Sequence, residues 1–156
     1  MKNNRLEDLR QELDLKSKDI AQILNVNKST YSEWEHNKIP IPTKRIIELA
    51  NYYKVNIDYM LNLTKTRKVI SSKNSLDLIK IGQNLKELRK DLNATLRILG
   101  QELNCSYSSF GNYERGEYLI NSEILISLCI KYNYSLDWVL GRSDDKHIHN
   151  STNNFS

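Results

Sequence analysis

The stretch NVNKSTYSEWEHN, Asn25–Asn37, decides how this chain is read. Asn25 tolerates the left-handed conformation that ends a helix, Val26 is a small apolar residue and Asn27 is a good N-cap. Lys28, Ser29 and Thr30 open the next helix, in which Tyr31 and Trp34, three apart, share the inward face. Asn37 suits another left-handed stop. Seventy-nine residues later NCSYSSFGNYERG, Asn104–Gly116, repeats the grammar in different letters: Asn104 turns, Cys105 packs, Ser106 caps, Phe110 and Tyr113 face inward, and Gly116 stops.

The same shift aligns residues 5–64 with 84–143 without a gap, and fifteen of those sixty positions are identical, among them Leu6, Leu9, Arg10, Leu24, Asn25, Glu35 and Leu49. This marks an internal duplication. In the first copy Leu6, Leu9 and Leu13 form one apolar stripe, and Ile20, Ala21, Ile23 and Leu24 a second. Ile46, Ile47, Ala50 and Tyr53 follow a cap at Thr43, and a last turn holds Ile57, Met60 and Leu61 after Asn56. In the second copy Leu78, Ile81, Leu85, Leu88 and Leu92 carry the first helix back to near Ser75. Further helices are expected at 95–103, 107–115, 122–132 and 136–140. No alternating apolar run is long enough for a sheet. The expectation is an all-α chain of two tandem five-helix domains, 1–64 and 75–143, with a linker at 65–74 and a disordered polar tail at 144–156.

A chain of 156 residues with 39% hydrophobic content can bury two small cores. No apolar run approaches the ~18–20 residues of a membrane span, and the start MKNNRLEDLR lacks the apolar segment of a signal peptide, so a cytoplasmic protein is expected. Cys105 and Cys129 read as reduced packing residues. The net charge of +4 is concentrated in the linker, where Lys65, Arg67, Lys68 and Lys73 stand without an acid. That linker reads either as a track along a phosphate backbone or as a soluble spacer.

The segments IAQILNVNKSTYSEWEHNK and LGQELNCSYSSFGNYERGE resemble the Cro and cI repressors, the XRE or lambda-repressor-like family of helix-turn-helix proteins. Each has a small residue, Ala21 or Gly100, where the second and third helices approach. The resemblance covers about 120 of the 156 residues. It implies a sequence-specific regulator of transcription, a repressor of bacterial, phage or mobile-element type, with a double-stranded DNA operator as partner. It also implies that Arg10 pairs with Glu35, and Arg89 with Glu114, as structural bridges. The family lays its third helix in the major groove, which implies base contacts from Lys28, Ser29, Ser32 and Glu33 in the first copy and from Tyr107, Ser108 and Asn112 in the second. Lys28 suits guanine O6 or N7, Glu33 cytosine N4, and Asn112 adenine; Gly111 reads nothing. Phosphate contacts are implied at Ser17, Lys18, Lys38 and Lys44, and at Arg97 and Arg115. Leu96 stands where the second copy needs a donor, so the first copy is the stronger reader.

A different reading keeps DNA for the first copy and makes the second a module for a homodimer or a protein antagonist, on the strength of its longer first helix, with Leu76 and Ile79, and of Tyr107 and Tyr118. Enzymatic activity is not expected, nor is any cofactor. His147 and His149 sit in the polar tail without a third metal ligand, and Asp58 and Asp137 each lie in the first turn of a helix, where a carboxylate favours the helix dipole.

Overall fold

The computed structural model describes residues 3–70 and 76–148, which belong to two compact units divided after Ser71. In the first unit α1 (Leu6–Glu12), α2 (Ser17–Leu24), α3 (Lys28–Glu35), α4 (Thr43–Tyr53) and α5 (Ile57–Met60) follow one another. In the second, α6 (Leu78–Asp91), α7 (Leu96–Glu102), α8 (Tyr107–Glu114), α9 (Ser122–Tyr132) and α10 (Leu136–Val139) do the same. Each unit buries its own core. Leu6, Ile20, Tyr31, Ile46, Leu49, Ile57 and Met60 fill the first, and Leu85, Leu88, Leu99, Phe110, Ile120, Leu125 and Leu136 the second. A fully buried side chain of this size contributes about 1.5–3 kcal/mol.

Backbone punctuation repeats more strictly than sequence. The described residues with positive φ form five pairs, each 79 apart: Asp14 with Asn93, Asn25 with Asn104, Asn37 with Gly116, Lys54 with Asn133, and Asn62 with Gly141. Asparagine, aspartate and glycine account for nine of these ten positions, as their low cost in the left-handed region predicts. Each pair ends a helix or turns the chain at the same point of both units.

Two apolar residues expected in the core lie outside it. Leu13 and Ile23 are 50% and 49% exposed. Leu13 is the C-cap of α1, beyond the last residue that keeps the Leu6–Leu9 face. Ile23 is rotated off the stripe that Ile20, Ala21 and Leu24 bury.

The expected domain boundaries also move. After α5 the chain doubles back: Val55 and Val69 form an antiparallel bridge, Asn56 N–H donates to Lys68 O at 3.1 Å, and Asn56 Oδ1 accepts from Lys68 N–H at 2.8 Å. Arg67 makes two 2.9 Å bonds to the Glu12 carboxylate beside the Tyr59 ring. Residues 65–70, expected as linker, are therefore a strap of the first unit; Lys73 lies outside the described residues. The second unit has a corresponding strap, because Ser135 N–H donates to Lys146 O at 2.7 Å and Tyr134 bridges to His147. Lys146 Nζ lies 2.8 Å from Glu87 and 2.9 Å from Asp91, above the Trp138 ring. Residues 144–148, expected as disordered tail, are thus held in place; 149–156 lie outside the described residues. The His147 ring packs against Tyr134 at a tilt, with ring centroids 4.8 Å apart. The helix α6 starts at Leu78, capped by Asp77 Oδ1 on Lys80 N–H, rather than near Ser75, which is not described.

Candidate nucleic-acid interface

In each unit a turn of the same design delivers the third helix. Asn25 closes α2 in the left-handed region and Val26 N–H returns to Ala21 O at 2.9 Å; Asn104 and Cys105, which bonds Gly100 O at 2.8 Å, repeat this. The second turn is the tighter, since a Cβ on Gly100 would come within 2.6 Å of Cys105 O. Asn27 and Ser106 both stand at N-caps, but only the Ser106 hydroxyl takes a backbone N–H, that of Ser109. Cys105 is half-buried, and burial pushes its thiol up from the ordinary range. Cys129 is buried, and Cys105 and Cys129 are not joined in a disulfide.

The orientation of α3 is fixed from inside. Tyr31 and Trp34 are buried in edge-to-face contact, and the Tyr31 hydroxyl meets that of Tyr53 at 3.0 Å. Glu35 takes Arg10 Nε at 2.6 Å and Nη2 at 3.3 Å, while Arg10 Nη1 donates to Leu15 O at 2.9 Å. The second unit copies this clamp: Arg89 donates to Glu114 at 2.6 and 3.0 Å and to Ala94 O at 3.1 Å. Hydrogen bonding to the glutamate raises each guanidinium above its ordinary range. At the far end of α3, the buried Asn4 amide donates to Trp34 O and Asn37 Oδ1, both at 3.0 Å.

With that face committed inward, Lys28 and Ser29 stand exposed and Ser32 and Glu33 half-exposed, at positions one helical turn apart on the outward side of α3. Lys18, Lys38 and Lys44 are exposed on the flanking elements, and Ser17, the first residue of α2, is half-buried. His36 places Nδ1 2.7 Å from Ser32 O. Of the residues expected in the first unit, Lys18, Lys28, Ser29, Lys38 and Lys44 are therefore exposed, and Ser17, Ser32 and Glu33 partly so.

The second unit arranges its counterparts differently. Arg97 lies over the Tyr107 ring at 5.3 Å, so an expected phosphate contact and an expected base contact are stacked on each other. Ser108 Oγ is 3.3 Å from Ser106 Oγ. Arg115 Nη2 donates to Asn112 Oδ1, Arg115 Nε donates to Glu117 at 3.1 Å, and a Cβ on Gly111 would meet Arg115 Nη1 at 3.1 Å. The guanidinium thus lies over the outward side of α8. Glu117 lies outside the expected set; its signal in the sequence is the reversal of charge from Lys38 in the first copy. Arg142, also outside that set, forms a buried ion pair with Asp137 where the first copy has Leu63.

No helix among the described residues is long and apolar enough to cross a membrane. Residues 3–65 match the family described as "Helix-turn-helix domain". Over 89 residues the chain is 29% identical to the HTH-type transcriptional regulator ImmR of Bacillus subtilis (strain 168), spanning 56% of this chain and 67% of that protein. Two solved structures are also similar in sequence. One is the clp gene regulator ClgR from Corynebacterium glutamicum, 31% identical over 41% of this chain and 68% of that one, with a TM-score of 0.38. The other is the restriction-modification controller protein C.AhdI from Aeromonas hydrophila, 30% identical over 34% of this chain and 80% of that one, with a TM-score of 0.33.

Proposed function

Because residues 3–65 form a helix-turn-helix domain, we propose that this chain is a sequence-specific double-stranded DNA-binding regulator of transcription, acting as a repressor. The observation that carries this is the outward face of α3, where Lys28, Ser29, Ser32 and Glu33 stand opposite the buried Tyr31 and Trp34, with exposed Lys18, Lys38 and Lys44 nearby in the sequence. An α-helix fits the major groove, and a lysine and a glutamate on one face discriminate guanine and cytosine edges. Lysines that neutralise phosphates supply sequence-independent affinity. The name of the ImmR relative as a transcriptional regulator supports the same reading. The proposal places the protein in the cytoplasm of a bacterium, on chromosomal, phage or mobile-element DNA, and gives it no enzymatic step.

In this reading the first unit leads and the second contributes weakly, with Tyr107, Ser108 and Asn112 as base contacts and Arg97 and Arg115 as phosphate contacts. The alternative, a second unit given to self-association or a protein antagonist, draws on Ile79 and Tyr118, which are 57% and 63% exposed. Selection of bound duplexes from a random pool, followed by mobility shifts, separates the two. Two half-sites per chain are expected, with Lys28→Ala weakening binding about tenfold or more and Asn112→Ala weakening it less. A single half-site favours the alternative, and a Lys28→Ala variant as tight as the parent chain overturns the assignment of α3 as the reader.

A further inference from the structure

We infer that Glu117 sets the DNA affinity of the second unit by latching Arg115 across the outward face of α8. This rests on the reading of α8 as a recognition helix. The latch has three parts. Glu117 Oε1 accepts from Arg115 Nε at 3.1 Å, Asn112 Oδ1 accepts from Arg115 Nη2, and the open side of Gly111 leaves room for the guanidinium, with Nη1 where a side chain would stand. Two of the five residues that the second copy would offer to DNA, Asn112 and Arg115, are engaged by it. Recognition of adenine by asparagine needs the amide oxygen to accept from N6 while the amide nitrogen donates to N7, and in Asn112 that oxygen is taken. A phosphate would need the Arg115 guanidinium, which already faces a carboxylate.

The first unit lacks each part. Position 38 is lysine where 117 is glutamate, position 36 is histidine where 115 is arginine, and Ser32 fills the place of Gly111. Charge therefore works in opposite senses at the end of the two third helices: Lys38 attracts a phosphate, whereas Glu117 repels it and withholds its neighbour. The Arg115 and Glu117 side chains are 58% and 51% exposed, so the ion pair is weak and competes with a bound duplex rather than forbidding one.

The test uses the full chain and a duplex carrying both half-sites recovered from the random pool. Glu117→Gln is expected to tighten binding about threefold, the scale of an exposed ion pair, and to steepen the salt dependence by about one phosphate contact. Asp144→Asn, which removes an exposed charge elsewhere in the same unit, is expected to leave both unchanged, and Glu117→Gln combined with Arg115→Ala is expected to lose the gain. An equal gain from Asp144→Asn, a gain that survives Arg115→Ala, or no gain at all overturns the latch. If the parent chain binds with dependence on Lys28 while Glu117→Gln changes nothing, only the latch falls; if no variant retains any duplex, the functional reading falls with it.

Discussion

Tyr31 and Tyr53 set two hydroxyls 3.0 Å apart inside the first unit. Burial, the larger cause in both, raises the Tyr53 hydroxyl to about 12 and Tyr31 well above its ordinary range. In the unfolded chain a tyrosine ionises near pH 10. Since the folded value lies above the unfolded one, the stabilisation is whole below about pH 10 and is lost as pH rises through about 12. Urea unfolding of the first unit at pH 7, 10 and 11.5, followed by Trp34 fluorescence with Trp138 replaced by Phe, should show this fall. Tyr53→Phe should lose about 1 kcal/mol at pH 7 and show a smaller further loss at high pH; an unchanged alkaline slope would show that the pair does not titrate with unfolding. At this scale the inward face of α3 was legible, because large apolar side chains at helical spacing have few other uses. The latch was not legible, because it depends on where a flexible guanidinium lies, and spacing alone does not fix that.

The first helices of the two units meet the end of the third by different means. In the first unit the backbone enters at Asn4, whose side chain reaches Trp34 O. In the second, α6 runs further back and its own backbone approaches α8, so that a Cβ on Gly82 would lie 2.3 Å from Glu114 O and 2.7 Å from Tyr113 O. Neither neighbour is a movable side-chain tip. Gly82→Ala should therefore destabilise the second unit by about 1–3 kcal/mol, the cost of overpacking a close contact, despite the better helix propensity of alanine. Chemical denaturation followed by the fluorescence of Trp138, with Trp34 replaced by Phe, would report it; a neutral or stabilising result would show that α6 moves away from α8 without cost. Helix spans were legible from apolar periodicity and caps, and the second copy's longer first helix from its extended stripe. The two straps were not. Each closes through one isolated bridge and a long-range ion pair, Arg67 with Glu12 or Lys146 with Glu87 and Asp91, and neither leaves a period in the sequence. Read locally, their charges looked like a basic linker and a polar tail.

The straps change what joins the two units. Residues 65–74 would reach about 35 Å if all were free, but with 65–70 held to the first unit only 71–75 separate the described parts, and the path from Ile70 to Leu76 is at most about 22 Å. A shorter tether raises the effective concentration of the second unit near a site beside the first. Ten Gly and Ser residues inserted after Ser72 lengthen the path from six Cα steps to sixteen, which lowers effective concentration about fourfold on the −3/2-power dependence of a flexible chain. Affinity for a duplex with both half-sites should fall by that factor and affinity for a single half-site should not change, as measured by fluorescence anisotropy at fixed salt. Equal affinities before and after insertion would show that the second unit adds nothing on DNA. A rise would show that the natural tether is too short for both units to hold one duplex, and that the duplicated domain serves a separate partner.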